Sequence, residues 1–214
     1  VLAVSLRGHG DAERPAAGYR PDDFAADVAA LLDALGIGRA VLVGHSMGAA
    51  VAQRFAIDFP ERTRGLALLG CFYRYGGNPV MEAFAAEIAD MTDPIDPAYA
   101  RDFQVGTLAR PVAPGVLEGA VAESLKAPIR VWRAALAGLL ADGWVPRLGA
   151  IAVPTLLGWG EHDAFVPAAD QPILLDRIAG SRLIVYPGGG HAFHWEDPAP
   201  VAADLADFVA GLTV

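Results

Sequence analysis

Ser46 stands between Gly44 and Gly48 in "AVLVGHSMGAA", residues 40 to 50, directly after a run of branched aliphatic residues. A strand that turns at once into a helix passes through a tight elbow, and glycines on both flanks remove Cβ atoms that would collide as the two elements pack. The serine is then presented at the tip. The amide that follows it, that of Met47, falls at a helix N-terminus, where N–H groups lack intrahelical acceptors and the helix dipole favours negative charge. Such an amide can donate to the oxyanion formed when a hydroxyl attacks a carbonyl.

A serine hydroxyl is a poor nucleophile at neutral pH, so it requires a general base, and the base an orienting acid. Five histidines are available: His9, His45, His162, His191 and His194. His191 follows the apolar run "RLIVYP" and the glycines Gly188, Gly189 and Gly190, a loop position from which an imidazole can reach back over a sheet. It is the favoured base. His194, beside Trp195, suits a packed role, and His45, next to the serine, lines the elbow. For the acid, "LLGWGEHDAFVP" puts Asp163 in a loop after a strand. Glu161 and Asp170 are the alternatives, and each carboxylate also has the plainer reading of a solvated loop or cap residue.

These side chains need elements to hold them. Residues 1–6, "VLAVSL", read as a buried strand ended by a loop at Gly8 and Gly10. "RPDDFAADVAALLDALG" follows with Phe24, Val28, Leu31, Leu32 and Leu35 at helical spacing and Gly36 as its stop. "AVLVG" is a second strand, "SMGAAVAQRFAIDFP" a helix of small residues, and "TRGLALLGCF" a third strand. The alternation predicts an α/β fold, a mostly parallel sheet with helices on both faces. From 76 to 148 the pattern changes: apolar residues recur at helical spacing between prolines, beginning with the helix start Asn78-Pro79. This reads as a helical insertion. The sheet then resumes with "PTLLGWG", a helix around Pro172 to Ile178, the strand "RLIVYP" and a last helix "PVAADLADFVAGL". The core is therefore expected to comprise 1–75 and 149–214.

Composition narrows the function classes. With 54% hydrophobic and 19% charged residues the chain can bury a sizeable core. Sixteen Lys and Arg against 25 Asp and Glu give a net charge of -9 and no basic run to neutralise phosphates, so nucleic acid is not an expected partner. Nor is a membrane: the longest uncharged run, Ala40 to Gln53, falls short of the ~18 residues of a spanning helix. The single cysteine, Cys71, excludes an internal disulfide and fits a reducing compartment such as the cytoplasm, although a secreted protein without disulfides would look the same. Its apolar neighbours favour a buried thiol. No histidine pairing with metal-ligand spacing stands out, and no metal or cofactor is expected.

Four stretches, "LRGHGDAERP", "VLVGHSMGAAVAQRFAIDFPERTRGLAL", "LLGWGEHDAFVP" and "GGGHAFHWEDPAPV", resemble successive signature motifs of the α/β-hydrolase superfamily, on its esterase, lactonase and C–C hydrolase side. The chain order Ser46, Asp163, His191 is the triad order of that superfamily. Ser5 stands where many relatives have Asp, and Ala12 where many have Ser. The resemblance implies that 76–148 forms a cap over the active site. Met81, Phe103, Trp132 and Trp144 are candidates for lining an acyl pocket there, with plain helix packing as the alternative. It also implies strands before residue 1, one of them lying between residues 1–6 and 40–44, and a His-Gly loop that supplies a second oxyanion amide. Nothing in the sequence corresponds to these, so a gap is expected in the sheet. The activity implied is that of a serine hydrolase working through an acyl-enzyme on a small or medium apolar ester or lactone. Cofactor-free perhydrolase or haloperoxidase chemistry, C–C bond hydrolysis, and a binding or signalling role without turnover are the alternatives.

Overall fold

Near-continuous apolar runs such as Leu66–Leu69 suit strands covered on both faces, as in parallel sheets. The computed structural model describes residues 1–141 and 143–212. In it β1 (Ala40–His45), β2 (Thr63–Leu69), β3 (Thr155–Gly160) and β4 (Ser181–Tyr186) form one parallel sheet in the order β1-β2-β3-β4. The intervening helices are α1 (Pro21–Ala34), α2 (Met47–Asp58), α3 (Pro79–Ile88), α4 (Pro97–Gly106), α5 (Pro114–Lys126), α6 (Ile129–Leu140), α7 (Asp170–Arg177), α8 (Phe193–Glu196) and α9 (Pro198–Ala210).

Alternation along the strands assigns the faces. Leu66, Leu68 and Leu157 pack with Ala49, Ala52 and Ala56 of α2, whereas Ala67 and Leu156 pack with Phe208 of α9 and with Leu212. Small residues on α2 let it lie close to the sheet. Helix α1 covers α2 through Ala25, Ala29 and Leu32 against Phe55.

The stretch from β2 to β3 holds α3 to α6 and, among its described residues, no strand. Its prolines set the helix starts: α3, α4 and α5 each begin on one, where the missing N–H costs nothing. The Asn78 side-chain oxygen accepts from the amides of Val80 (2.9 Å) and Met81 (3.2 Å), and that of Asp96 from Ala98 (2.9 Å).

One expected element is absent. Residues 1–6 are not a buried strand: they pair with no neighbour, and Val1, Leu2 and Val4 are exposed. An apolar run becomes a strand only when a neighbour takes up its N–H and C=O groups. Among the described residues, β1 is the edge of the sheet on that side, with Val43 exposed. No helix among the described residues is long and apolar enough to cross a membrane.

Trp144 also departs from expectation. It is 2% exposed and sits in the core rather than on a pocket wall, because its indole needs an acceptor once buried. Nε1 donates to Gln53 Oε1 at 2.8 Å, and Gln53 Nε2 donates to Cys71 Sγ at 3.0 Å. Burial pushes the Cys71 thiol up, so it stays neutral as that acceptor. Through this chain the segment after α6 is bonded to α2. Replacing Trp144 by Phe leaves the Gln53 oxygen buried without its donor and is expected to lower stability by about 1–3 kcal/mol, read as a lower urea midpoint with an unchanged slope.

Candidate active site

The reversal from β1 into α2 is made by a single residue. Ser46 has φ 51° and ψ -116°, the one positive φ at a non-glycine position among the described residues. Such a conformation costs about 1–3 kcal/mol and persists only where its surroundings enforce it. Here they do. A Cβ on Gly44 would lie 2.1 Å from the Gly48 carbonyl oxygen, so strand and helix backbones touch. The Ser46 amide donates to Leu69 O at 2.9 Å, fixing the tip to the end of β2. Gly48 itself is not required sterically, contrary to expectation: a Cβ there meets nothing within 4 Å. Met47 is the first residue of α2, so its amide has no intrahelical acceptor.

A second close approach brings Asp163 and His191 together. A Cβ on Gly160, the last residue of β3, would lie 2.1 Å from Gly190 O, and the His162 amide donates to Gly189 O at 2.8 Å. The loops after β3 and β4 are thereby stitched together. Asp163 Oδ2 accepts from His191 Nδ1 at 2.8 Å, and its Oδ1 accepts from the amides of Phe165 (2.8 Å) and Val166 (2.9 Å). The carboxylate is fully buried yet supplied with donors on both oxygens, which is what burial of a charge demands. With Nδ1–H committed to Asp163, the neutral imidazole carries its free lone pair on Nε2. The alternative carboxylates lie elsewhere. Glu161 accepts from the Gly188 amide on the surface, and Asp170 accepts from the Tyr73 amide, its carboxyl raised by burial.

His191 is held from several sides. Its ring lies 4.9 Å from that of Phe165, and its carbonyl accepts from His45 Nε2 at 2.9 Å. The His45 ring in turn lies 4.7 Å from His191 and 4.3 Å from His194. Burial, and secondarily the neighbouring imidazoles, hold His45 well below its ordinary value and bring His194 down to about 4. Beneath them is Gly70, at φ +53°, where a Cβ would lie 3.0 Å from His191 Cε1 and 3.2 Å from His45 Nε2. Gly70 and Phe165 were not anticipated. Gly70 lies within the run "TRGLALLGCF" expected as a strand, whereas β2 ends at Leu69, and its contacts come from β1 and the loop after β4.

Ser46, Met47, His45 and His191 open onto a cavity of about 300 Å³. Met81 of α3, Phe103 of α4 and Trp132 of α6 line it, as does His9, whose Nδ1 donates to Arg7 O. Phe84 and Phe103 stack at 5.0 Å, Trp132 meets Phe103 edge-on at 5.3 Å, and Phe103 meets Phe165 at 6.3 Å. The wall is aromatic from the insertion down to His191. Trp144 takes no part in it. Among the described residues no cluster of His, Cys, Asp or Glu is arranged to hold a metal ion.

The family profile described as alpha/beta hydrolase fold matches residues 1–198. The chain is 32% identical to a 2-hydroxymuconate semialdehyde hydrolase of Pseudomonas sp. strain CF600, covering 98% of this chain and 76% of the relative. It is 29% identical to a 3-oxoadipate enol-lactonase of Acinetobacter baylyi, covering 86% and 69%. Among solved structures, a thermophilic esterase from Thermogutta terrifontis superposes with a TM-score of 0.82 at 26% identity, covering 98% of this chain and 79% of that one.

Two outcomes follow from the packing around His191. Gly70→Ala combines a left-handed backbone with a crowded Cβ and is expected to cost about 1–3 kcal/mol, measured by urea unfolding. The second concerns acid. His45 and His194 stay neutral in the folded state while the unfolded chain takes up protons near the ordinary 6.5, so stability rises with pH across this window. Equivalently, it falls as pH drops from 6.5 towards 4. His194→Asn is expected to flatten that decline in unfolding midpoints measured against pH.

Proposed function

The chain belongs to the alpha/beta hydrolase fold family, and from that premise we propose that it is a serine hydrolase cleaving a small or medium apolar ester or lactone. The observation that carries this reading is the 2.8 Å bond from His191 Nδ1 to the buried Asp163 carboxylate, with His191 and the strained Ser46 lining one cavity. Ser46 Oγ attacks the carbonyl carbon while His191 Nε2 accepts its proton. Asp163 holds the ring and favours the imidazolium that forms. The Met47 amide donates to the oxyanion, whose charge the N-terminus of α2 favours. His191 then returns the proton to the leaving group, and water, activated by the same imidazole, releases the acid from the acyl-enzyme.

Substrate size and polarity follow from the walls. A cavity of about 300 Å³ is at the small end of ligand pockets, and its aromatic lining favours an apolar acyl or alcohol group. Helices α3 to α6 act as the cap that keeps water from it. A serine at the elbow departs from the carboxylate nucleophile of dehalogenase and epoxide hydrolase chemistry. A second reading, hydrolysis of a carbon–carbon bond, has in its favour the 32% identity to the 2-hydroxymuconate semialdehyde hydrolase; the same three side chains would serve it.

A 4-nitrophenyl ester series, run beside fluorophosphonate labelling, tests the reading and reports acyl length. Ser46→Ala is expected to abolish labelling and to lower turnover by about 10⁴-fold or more. His191→Ala is expected to match it, and His194→Ala to retain much more. Labelling at another serine, or the reverse ranking of the two histidines, would refute the assignment.

A further inference from the structure

The site described so far leaves one buried carboxylate without a role. Glu196, the last residue of α8, has a fully buried side chain. Its Oε1 accepts from the amides of Ala109 (2.6 Å), Gly190 (3.2 Å) and Arg110 (3.3 Å). Its Oε2 accepts from the Gly190 amide at 3.0 Å and from Arg110 Nε at 3.4 Å. Ala109 and Arg110 belong to the link between α4 and α5, inside the insertion; Gly190 immediately precedes His191. On the other side of His191, the Ala192 amide donates to Thr107 O of the same link at 2.9 Å.

We propose that Glu196 is a positioning residue for His191: its carboxylate clamps the loop that carries the imidazole to the α4–α5 link of the insertion. The inference rests on the assignment of His191 as the base. Asp163 fixes the direction of the ring, but a ring can be placed only as well as the backbone beneath it. That backbone has few anchors within its own loop, whose residues before the histidine are glycines. The anchors come from outside: Glu196 at the Gly190 amide, Thr107 at the Ala192 amide, and His45 at the His191 carbonyl.

The closeness of this junction is visible in Gly190. A Cβ there would lie 2.5 Å from the Ala109 nitrogen, 2.8 Å from Glu196 Oε1 and 2.9 Å from Thr107 O. Loop and insertion therefore meet backbone to backbone. A side chain with a single oxygen would leave these converging amide donors with a poorer acceptor, whereas the two carboxylate oxygens accept from all of them at once. The ion pair with Arg110 is incidental by comparison, since Arg110 is 44% exposed and such pairs contribute little. One consequence is that the insertion, which lines the cavity, and the imidazole, which acts in it, are mechanically one unit.

The test compares Glu196→Ala, Glu196→Asp, Glu196→Gln and Arg110→Ala with the parent on 4-nitrophenyl butyrate, with kcat normalised to active sites titrated by a fluorophosphonate. Displacing a catalytic group by about 1 Å can cost about 100-fold, so Glu196→Ala is expected to lower normalised kcat by about 10- to 100-fold. KM is expected to change by less than about threefold, because Glu196 itself does not line the cavity. Glu196→Gln keeps one oxygen acceptor and is expected to recover part of the loss. Arg110→Ala is expected to stay within about twofold of the parent. If Glu196→Ala does not fold, Glu196→Asp, with its carboxylate withdrawn by one methylene, is read in the same way. A parental normalised kcat in either variant, or a loss confined to KM or to the titrated fraction, overturns the proposal. Ser46→Ala and His191→Ala run alongside: if these retain turnover, the base assignment itself has failed, a result distinct from an inert Glu196.

Discussion

Backbone packed directly on backbone is the contact on which the rest of the site depends. At Gly44 and again at Gly160 a Cβ would sit 2.1 Å from a carbonyl oxygen of the neighbouring segment. No side chain fits there, and none could be accommodated by rotamer adjustment, because the obstacle is main chain. The first approach turns β1 into α2 within one residue and puts Ser46 at the turn. The second draws the loop after β3 against the loop after β4 and brings Asp163 to His191. Parallel strands deliver their C-terminal ends to one side of a sheet, and the two close approaches convert that general proximity into hydrogen-bonding distance.

Electrostatics then decides which groups are charged. Asp163 is buried with donors on both oxygens, and Glu196 is buried among amides. A carboxylate removed from water without such partners would give up its charge. The histidines around His191 have the opposite arrangement: His45 and His194 are packed against rings, and desolvation keeps them neutral at physiological pH.

The stretch between β2 and β3 is bonded to the rest of the fold at points near the cavity. Trp144 bonds Gln53 on the helix that follows Ser46, Thr107 accepts from the Ala192 amide beside His191, and Ala109 and Arg110 donate to Glu196 of α8. The cavity lies between these fastenings, walled by Phe84, Phe103 and Trp132. Buried hydrogen bonds to charged or amide groups are sensitive to small displacements, so the helices above the cavity are held in register with the side chains beneath it.

Much of this was legible in the residues themselves. The glycine–serine–glycine spacing at 44 to 48, the alternation of strand and helix, the prolines that open α3, α4 and α5, and the order of Ser46, Asp163 and His191 are local or one-dimensional signals. Other features were decided by tertiary structure. Residues 1–6 are apolar enough for a strand, but a strand is defined by its partner, and they have none. Trp144 reads as well for a pocket wall as for a core; the position of Gln53, on a distant helix, settles it. Gly70 falls within the apolar run expected as the third strand, yet it lies past the end of β2 with two imidazoles over it, and nothing in the sequence marks Glu196, which the α4–α5 link covers. Periodicity and turn chemistry are fixed by neighbours in the chain, whereas burial, hydrogen-bond partners and steric room are fixed by neighbours in space, and those are set only when the sheet and the insertion have closed on one another.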